Sequence, residues 1–355
     1  MLREVINKVR QLLYLQVCYI KSLRYRKSKN QFVRDLLLIC EKYGRKYHIF
    51  LAIIDKYAVH LSSINNNLYL PLEKYNDRNT FLRFFMKAFY GVNTATPEEI
   101  ALIDNAYSTV KKLYEDSLED YIEFNFRGVN LKYLKKEGLR EDETKPENIL
   151  MNYYDVVHAF FLTEYEMNGF NPQNGETILD CGAAYGDTLL AFRVMYPNSK
   201  IYSFECGNEI VEKAQRNMQL NQVKNAVIKN AFLYKNSGKH MLNKKTYKID
   251  DALKGENSQE IETLALDDFV RKNDITDIGL IKFDIEGGEV PALYGAIETI
   301  KTQKPLLYIP IYHLDTDIYT IPEFIKELNM PVEFRIKWTE KKVWGVDCVL
   351  FFKFK

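Results

Sequence analysis

The chain has 355 residues, more than one typical domain, and its length points to about two. Hydrophobic residues make up 46% and charged ones 27%, and Tyr and Phe are abundant, which excludes a disordered or low-complexity chain. The 49 basic and 48 acidic side chains nearly cancel, so no global field draws the protein to nucleic acid.

The five cysteines, Cys18, Cys40, Cys181, Cys206 and Cys348, are scattered and contain no CxxC pair. They indicate neither a disulfide framework nor a zinc site, and a reducing cytoplasm is the simplest location. No apolar run approaches the ~20 residues that cross a bilayer, and the N-terminus lacks the apolar core and cleavage site of an export signal. Val5, Ile6, Val9, Leu12 and Leu13 repeat at helical spacing and lead into the basic residues Lys21, Arg24, Arg26, Lys27 and Lys29. Such a helix suits a peripheral position on the inner face of a membrane. The plainer reading is a helix packed on its own domain, or on a second subunit in a homodimer.

Apolar residues recur every three to four positions in Phe32 to Glu41, Tyr47 to His60, Arg78 to Tyr90 and Glu98 to Asp116. Thr96 is placed to cap the last of these, with Pro97 in its first turn beside Glu98 and Glu99. Asn65, Asn66, Asn67 and Pro71 are expected to break the helices apart. Phe124, Phe126, Val129 and Leu131 alternate around Gly128, which predicts a short hairpin. Residues 1–134 therefore read as a mainly helical N-terminal domain. A charged loop from Lys135 to Glu147, containing Pro146, marks the boundary. A helix from Asn148 to about Asn168 then leads into a second domain, residues 148–355.

Beyond Thr177 the pattern changes to short apolar strands alternating with amphipathic helices. The strands are Thr177 to Cys181, Ile201 to Glu205, Ala226 to Asn230, Leu280 to Ile285 and Pro305 to Tyr312. This alternation predicts an α/β fold, a mostly parallel Rossmann-like sheet with helices on both faces. Two more apolar strands, Val332 to Trp338 and Asp347 to Phe354, follow a helix from Ile321 to Leu328.

The first strand runs straight into Asp180-Cys-Gly182-Ala183-Ala-Tyr-Gly186-Asp187-Thr188 and then a helix. Glycines at 182 and 186 let backbone approach a ligand, and the helix start offers free N–H groups, so a nucleotide-like ligand belongs at this turn. A dinucleotide fold would carry G-x-G-x-x-G, whose second glycine admits a pyrophosphate. No such triplet is present. S-adenosylmethionine has no phosphate, and a loop with fewer glycines and a leading acid suits it better. The candidate cofactor contacts here are Asp180, Gly182, Ala183, Gly186, Asp187 and Thr188, although a two-glycine turn also serves a purely structural end.

Glu205 closes the second strand, where an acid takes ribose hydroxyls in α/β folds. Asn230 closes the third, where an amide suits adenine or simply shapes a turn. The third signal is Leu280-Ile-Lys-Phe-Asp284-Ile-Glu286-Gly-Gly-Glu289, an apolar strand opening into carboxylates. Ligands of open α/β sheets bind at that edge, so these acids are expected to face the crevice of Gly182 and Glu205.

In these residues the chain resembles the FkbM-type methyltransferases, from about Tyr165 to Phe352. Carrying the resemblance are Leu179 to Ala183 with Gly186-Asp187-Thr188, Phe204-Glu205, Leu266-Asp267-Asp268-Phe269, and Ile281 to Glu289 with Leu293, Gly295 and Ala296 behind it. The resemblance implies methyl transfer from S-adenosylmethionine, usually to a hydroxyl oxygen, on sugars, glycans or polyketide-like products. It also implies that Asp180 helps to position the methionine part of the cofactor, and that the last two strands close the sheet as an antiparallel hairpin. Cys206-Gly207 departs from the proline often found after the acid. Pro310-Ile-Tyr-His313 departs from a strand glutamate.

Methyl transfer requires alignment of acceptor oxygen, methyl carbon and sulfur, together with removal of a proton. Asp284 and His313 are the candidate catalytic pair, since an unperturbed histidine titrates near pH 6.5 and Asp284 is placed to orient a hydroxyl. Asp284 also counts among the cofactor contacts. Asp284, Glu286 and Glu289 have the oxygens that a magnesium-type ion selects, but they equally cap a helix, and no metal is assigned. Lys235, Lys239, His240, Lys244, Lys245 and Lys248 form a solvated loop or edge hairpin that as a unit is suited to greet an anionic acceptor.

The sequence thus reads as an S-adenosylmethionine-dependent O-methyltransferase acting on a hydroxyl of a sugar, nucleotide sugar or surface glycan, releasing S-adenosylhomocysteine. Its richness in Lys, Asn, Ile and Tyr suggests an AT-rich bacterial genome. The alternatives are a non-sugar or nitrogen acceptor, or a non-catalytic module that binds the cofactor. A nicotinamide oxidoreductase is disfavoured by the missing glycine triplet.

Overall fold

The computed structural model describes residues 2–43, 47–72, 77–135, 153–245, 249, 251–252, 257–339 and 347–355. The N-terminal part is helical, with helices Leu2–Leu23, Gln31–Lys42, Tyr47–Lys56, Arg78–Tyr90 and Pro97–Asp116. Thr96 caps the last of them in a capping box, its hydroxyl accepting from Glu99 N while Glu99 accepts from Thr96 N. The Asn65 region is a correction to the expected break. Ile64–Tyr69 continues as a wide helical turn, because Asn65 is buried and its side-chain oxygen accepts from Phe32 N at 2.9 Å. An asparagine given a partner inside the fold stops acting as a helix breaker.

The expected hairpin forms from β1 (Tyr121–Phe126) and β2 (Val129–Leu134). Arg127 and Gly128 both take positive φ at its tip, as a two-residue hairpin turn requires. Of the charged segment from Lys135 to Glu147, all but Lys135 lies outside the described residues. So do the side chains of Val5, Ile6, Val9, Leu12 and Leu13. The described part of the following helix covers residues 153–161 and ends at Phe161 rather than near Asn168. Thr163 and Gly169 adopt positive φ, and Lys337 Nζ ties the carbonyls of Leu162, Thr163 and Glu166 into a turn.

Seven strands form the main sheet in the order β11-β12-β10-β9-β3-β4-β5. They are β3 (Thr177–Cys181), β4 (Ile201–Glu205), β5 (Ala226–Asn230), β9 (Ile278–Phe283), β10 (Leu306–Pro310), β11 (Val332–Trp338) and β12 (Cys348–Phe354). Strands β10, β9, β3, β4 and β5 are mutually parallel, while β11 and β12 add the antiparallel hairpin expected at the C-terminus. β6 (Phe232–Leu233), β7 (Gly238–Asn243) and β8 (Ser258–Leu264) make a small separate sheet, the edge hairpin anticipated for the lysine-rich stretch.

Alternate strand residues sort into two clusters, the period-two pattern of a sheet covered on both faces. Leu179, Phe204, Phe283, Leu307 and Ile309 pack with the helices Leu266–Lys272, Ile297–Gln303 and Asp317–Glu327 and with the N-terminal helices up to Arg78–Tyr90. Ile178, Ile201, Leu280, Tyr308 and Phe351 pack with Pro97–Asp116, the β1–β2 hairpin, residues 153–170 and the helix Asp187–Met195. The chain moves outward from β3 through β4 to β5, then returns to place β9 on the other side of β3. The switch point therefore lies between the carboxyl ends of β3, β4 and β9, where a crevice opens.

Candidate functional site

At the end of β3 the Asp180 side chain is fully buried. It accepts from Thr188 Oγ1 at 3.0 Å and Ser203 Oγ at 2.8 Å, and pairs with Lys282 Nζ at 3.1 Å. Lys282, from the neighbouring strand, is only 1% exposed and donates to the Gly182 carbonyl at 2.7 Å. Burial alone would lower its pKa, but Asp180, Asp284 and Asp187 together hold it above the ordinary lysine value. The buried ammonium is thus a fixed clamp on the glycine turn. Asp180 sits beneath that turn and shapes it.

Gly182 has φ +85°, and a Cβ there would fall 1.6 Å from the Asp284 carbonyl oxygen. The glycine is demanded by the close approach of the chain after β9, a reason that differs from the ligand approach inferred from sequence. Gly186 has φ +82° and starts the helix Asp187–Met195, where a Cβ would make an ordinary 3.4 Å contact with Ala214. Gly182 N and Ala183 N both donate to the Phe204 carbonyl at 2.9 Å. Asp187 Oδ1 is buried without a hydrogen-bond partner among the described residues, and burial, followed by Asp155, pushes its carboxyl well above the usual range.

Glu205 accepts from Cys206 N at 2.8 Å, Gly207 N at 3.0 Å and Ala184 N at 3.2 Å. A proline at position 206 would remove one of these donors, which gives the departure at Cys206 a structural meaning. Gly182, Glu205 and Asp284 line one cleft, whose apolar wall includes Phe232, Leu233 and Ile285. Asn230 lies at the rim of the sheet and donates to the carbonyls of Glu205 at 3.3 Å and Cys206 at 3.2 Å, so its amide is spent on backbone.

Next to the cleft, Asp284 Oδ1 lies 3.3 Å from His313 Nε2, and Asp284 Oδ2 accepts from Tyr165 OH at 2.7 Å. Glu289 Oε1 is 2.9 Å from His313 Nδ1, and Glu286 is 3.8 Å from Nε2. Burial pulls the imidazole down, but the hydrogen bond that Nδ1 donates to Glu289 and the charges of Asp284, Glu289 and Glu286 raise it to about 9. The sequence expectation used an unperturbed histidine. In the fold, three carboxylates keep His313 protonated at neutral pH.

Lys282 and Tyr165 were not singled out from the sequence. A lysine in the otherwise apolar run Ile278–Phe283 was a readable signal; Tyr165 carried none. In the lysine-rich stretch, Lys239 pairs with Glu260 at 2.8 Å and His240 with Asp251 at 2.9 Å, while Lys248 lies outside the described residues.

The sequence pattern of the methyltransferase FkbM domain matches residues 180–331, which contain every cleft residue named above. This segment is an FkbM-type methyltransferase domain. Among solved structures, the chain is similar to the FkbM methyltransferase of Methylobacillus flagellatus, with 18% identity and a TM-score of 0.43, over 74% of this chain and 64% of that one. It thus spans under two thirds of that protein's length. It is also similar to precorrin-6y C5,15-methyltransferase of Geobacter metallireducens, with 15% identity, TM-score 0.35, over 63% and 92% of the two chains. A third likeness is to TYW2 of M. jannaschii in complex with AdoMet, with 12% identity, TM-score 0.34, over 67% and 87%. No curated protein matches the sequence. The FkbM domain confirms the family resemblance drawn from the residues, with its motifs brought to one edge of the sheet.

Proposed function

We propose that the chain is an S-adenosylmethionine-dependent O-methyltransferase acting on a hydroxyl of a sugar, nucleotide sugar or surface glycan. The observation that supports it most directly is that Gly182 and Glu205 line the same cleft as Asp284. The residues fit the cofactor: an apolar wall suits an adenine, and Glu205 keeps acceptor capacity for ribose hydroxyls beyond the three N–H groups it already satisfies. Bound there, S-adenosylmethionine supplies a methyl carbon whose bond to sulfur breaks, with its electron pair going to sulfur, as the acceptor oxygen bonds to it.

The chain's own residues position the partners and handle the proton. Glu205 orients the ribose side, and the Lys282 clamp keeps the Gly182 turn in place. Asp284, held by Tyr165 on one oxygen, offers the other to the acceptor hydroxyl. The hydroxyl proton leaves to the Asp284 carboxylate as the new carbon–oxygen bond forms, while protonated His313 beside it holds that carboxylate in place.

Calorimetric titration with S-adenosylmethionine and with NAD, then mass spectrometry after incubation with nucleotide sugars, tests this reading. Binding of the sulfonium and a gain of one methyl group on a sugar hydroxyl support it. Binding without transfer to any hydroxyl or amine would favour a non-catalytic module, and binding of NAD alone would overturn it.

A peripheral membrane position belongs to the same proposal. Tyr14, Val17 and Ile20 are 60%, 47% and 60% exposed on the first helix, beside Lys21, Arg24 and Lys27. Among the described residues no helix is long and apolar enough to cross a membrane. Cosedimentation with anionic vesicles, set against the oligomeric state in solution, separates a membrane contact from a homodimer face.

A further inference from the structure

We propose that Asp284, Glu289 and His313 form a binding site for a divalent transition-metal cation. They stand just beyond the carboxyl ends of the neighbouring parallel strands β9 and β10. One ligand atom from each lies within 4.8 Å of the other two. The imidazole lies between two of the carboxylates, 3.3 Å from Asp284 Oδ1 and 2.9 Å from Glu289 Oε1, and a bound cation takes the place of the proton that those carboxylates hold on it, which is released to solvent.

The independent observation is at Glu289. Its side chain is 1% exposed, and Oε1 accepts from Ile285 N at 2.9 Å, yet Oε2 is buried with no hydrogen-bond partner among the described residues. A buried carboxylate oxygen without a donor is costly and asks for a cation. The surroundings also hold the other donors in place. Tyr165 donates to Asp284 Oδ2 and so turns Oδ1 toward His313, the outer support that metal sites use to aim their ligands. Glu286, 3.8 Å from His313 Nε2 and exposed, is a further oxygen at the open side.

Two carboxylates with an imidazole favour Mn2+ or Zn2+ over Mg2+ or Ca2+, which select oxygen alone. A cation at this position borders the cleft through Asp284. The consequence for catalysis rests on the methyltransferase reading: a cation held by these three side chains would make a hydroxyl beside it more acidic, Asp284 and His313 would serve as ligands, and Glu286 at the open side would take the proton. The site itself does not depend on that reading.

The test is a titration of the chelator-treated full chain with Mn2+ alone, followed by the paramagnetic resonance of free Mn2+. One ion per chain is expected, displaced by Zn2+ but not by an equal concentration of Mg2+. E289Q and H313N should each weaken Mn2+ binding at least tenfold. A Mn2+-soaked crystal of the unaltered protein, with anomalous density beside Asp284 and His313, gives the same answer without any variant. Failure of the wild type to bind Mn2+ at millimolar concentration, unchanged affinity in both variants, or anomalous density elsewhere would each overturn the site. No S-adenosylmethionine is present in these measurements, so their failure and a failure of cofactor binding are told apart.

Discussion

Lys282 and Asp180 face each other in register on neighbouring parallel strands, 3.1 Å apart and both sealed from solvent. Removing one partner of a buried pair strands the other charge, at a cost of about 3–5 kcal/mol. D180N and K282M are each expected to lower the urea-unfolding free energy by about that amount. The double variant should lose less than the sum of the two, with a coupling of about 1–3 kcal/mol. Additive losses would show that the two side chains do not depend on each other.

The glycine turn carries a second prediction, in which two glycines of positive φ behave differently. At Gly182 a Cβ overlaps the Asp284 carbonyl, so G182A must push the chain after β9 aside and deform the cleft. At Gly186 only the backbone conformation resists, at about 1–2 kcal/mol. G182A should therefore weaken S-adenosylmethionine binding more than tenfold in calorimetry, while G186A mainly lowers stability. Equal effects on cofactor affinity would refute the distinction.

Much of the sheet was legible because its signals are local. Apolar, β-branched runs bounded by polar turns gave β3, β4 and β5 with the bounds observed. β9 starts two residues before the expected Leu280 and stops at Phe283, since Asp284 already turns to meet Cys181 and Gly182. What stayed hidden is tertiary. Asn65 reads as a breaker until Phe32 N supplies its partner, and the helix after residue 153 ends early because Lys337, far along the chain, fixes the turn at Thr163. At the site, sequence order indicated that Asp284 and Glu205 share an edge. It carried no sign that Glu289 and Asp284 together crowd His313.

Cys206 gives a chemical readout of the cleft. It is the exposed cysteine, the other four being buried. Enclosure beside the cleft, then the neighbouring Glu205 carboxylate, push its thiol up to about 11. The thiolate is the reactive form, and below the pKa its fraction grows tenfold per pH unit. Alkylation by iodoacetamide should therefore keep accelerating between pH 7.5 and 9.5, by about 100-fold, with no plateau near the ordinary thiol value of about 8.5. Because Cys206 lines the same cleft as Glu205, S-adenosylhomocysteine should slow the labelling. A plateau near pH 8.5 would contradict the environment described, and labelling indifferent to the ligand would move the cofactor elsewhere.

The far edge of the sheet is held by the N-terminal helices. Asp77, just before the helix Arg78–Tyr90, accepts from Arg335 Nε at 2.7 Å and Nη2 at 3.2 Å, and from the buried Ile336 N at 3.0 Å. An edge strand needs its outward N–H groups covered, and here a carboxylate from the N-terminal helices covers one. D77A removes the acceptor of that buried N–H, which should cost about 1–3 kcal/mol. Hydrogen exchange at Ile336 should accelerate with the loss of stability. Cofactor affinity should not change, because four strands separate β11 from β4 and Glu205. Unaltered exchange at Ile336 in D77A would mean that the N-terminal helices do not secure this edge.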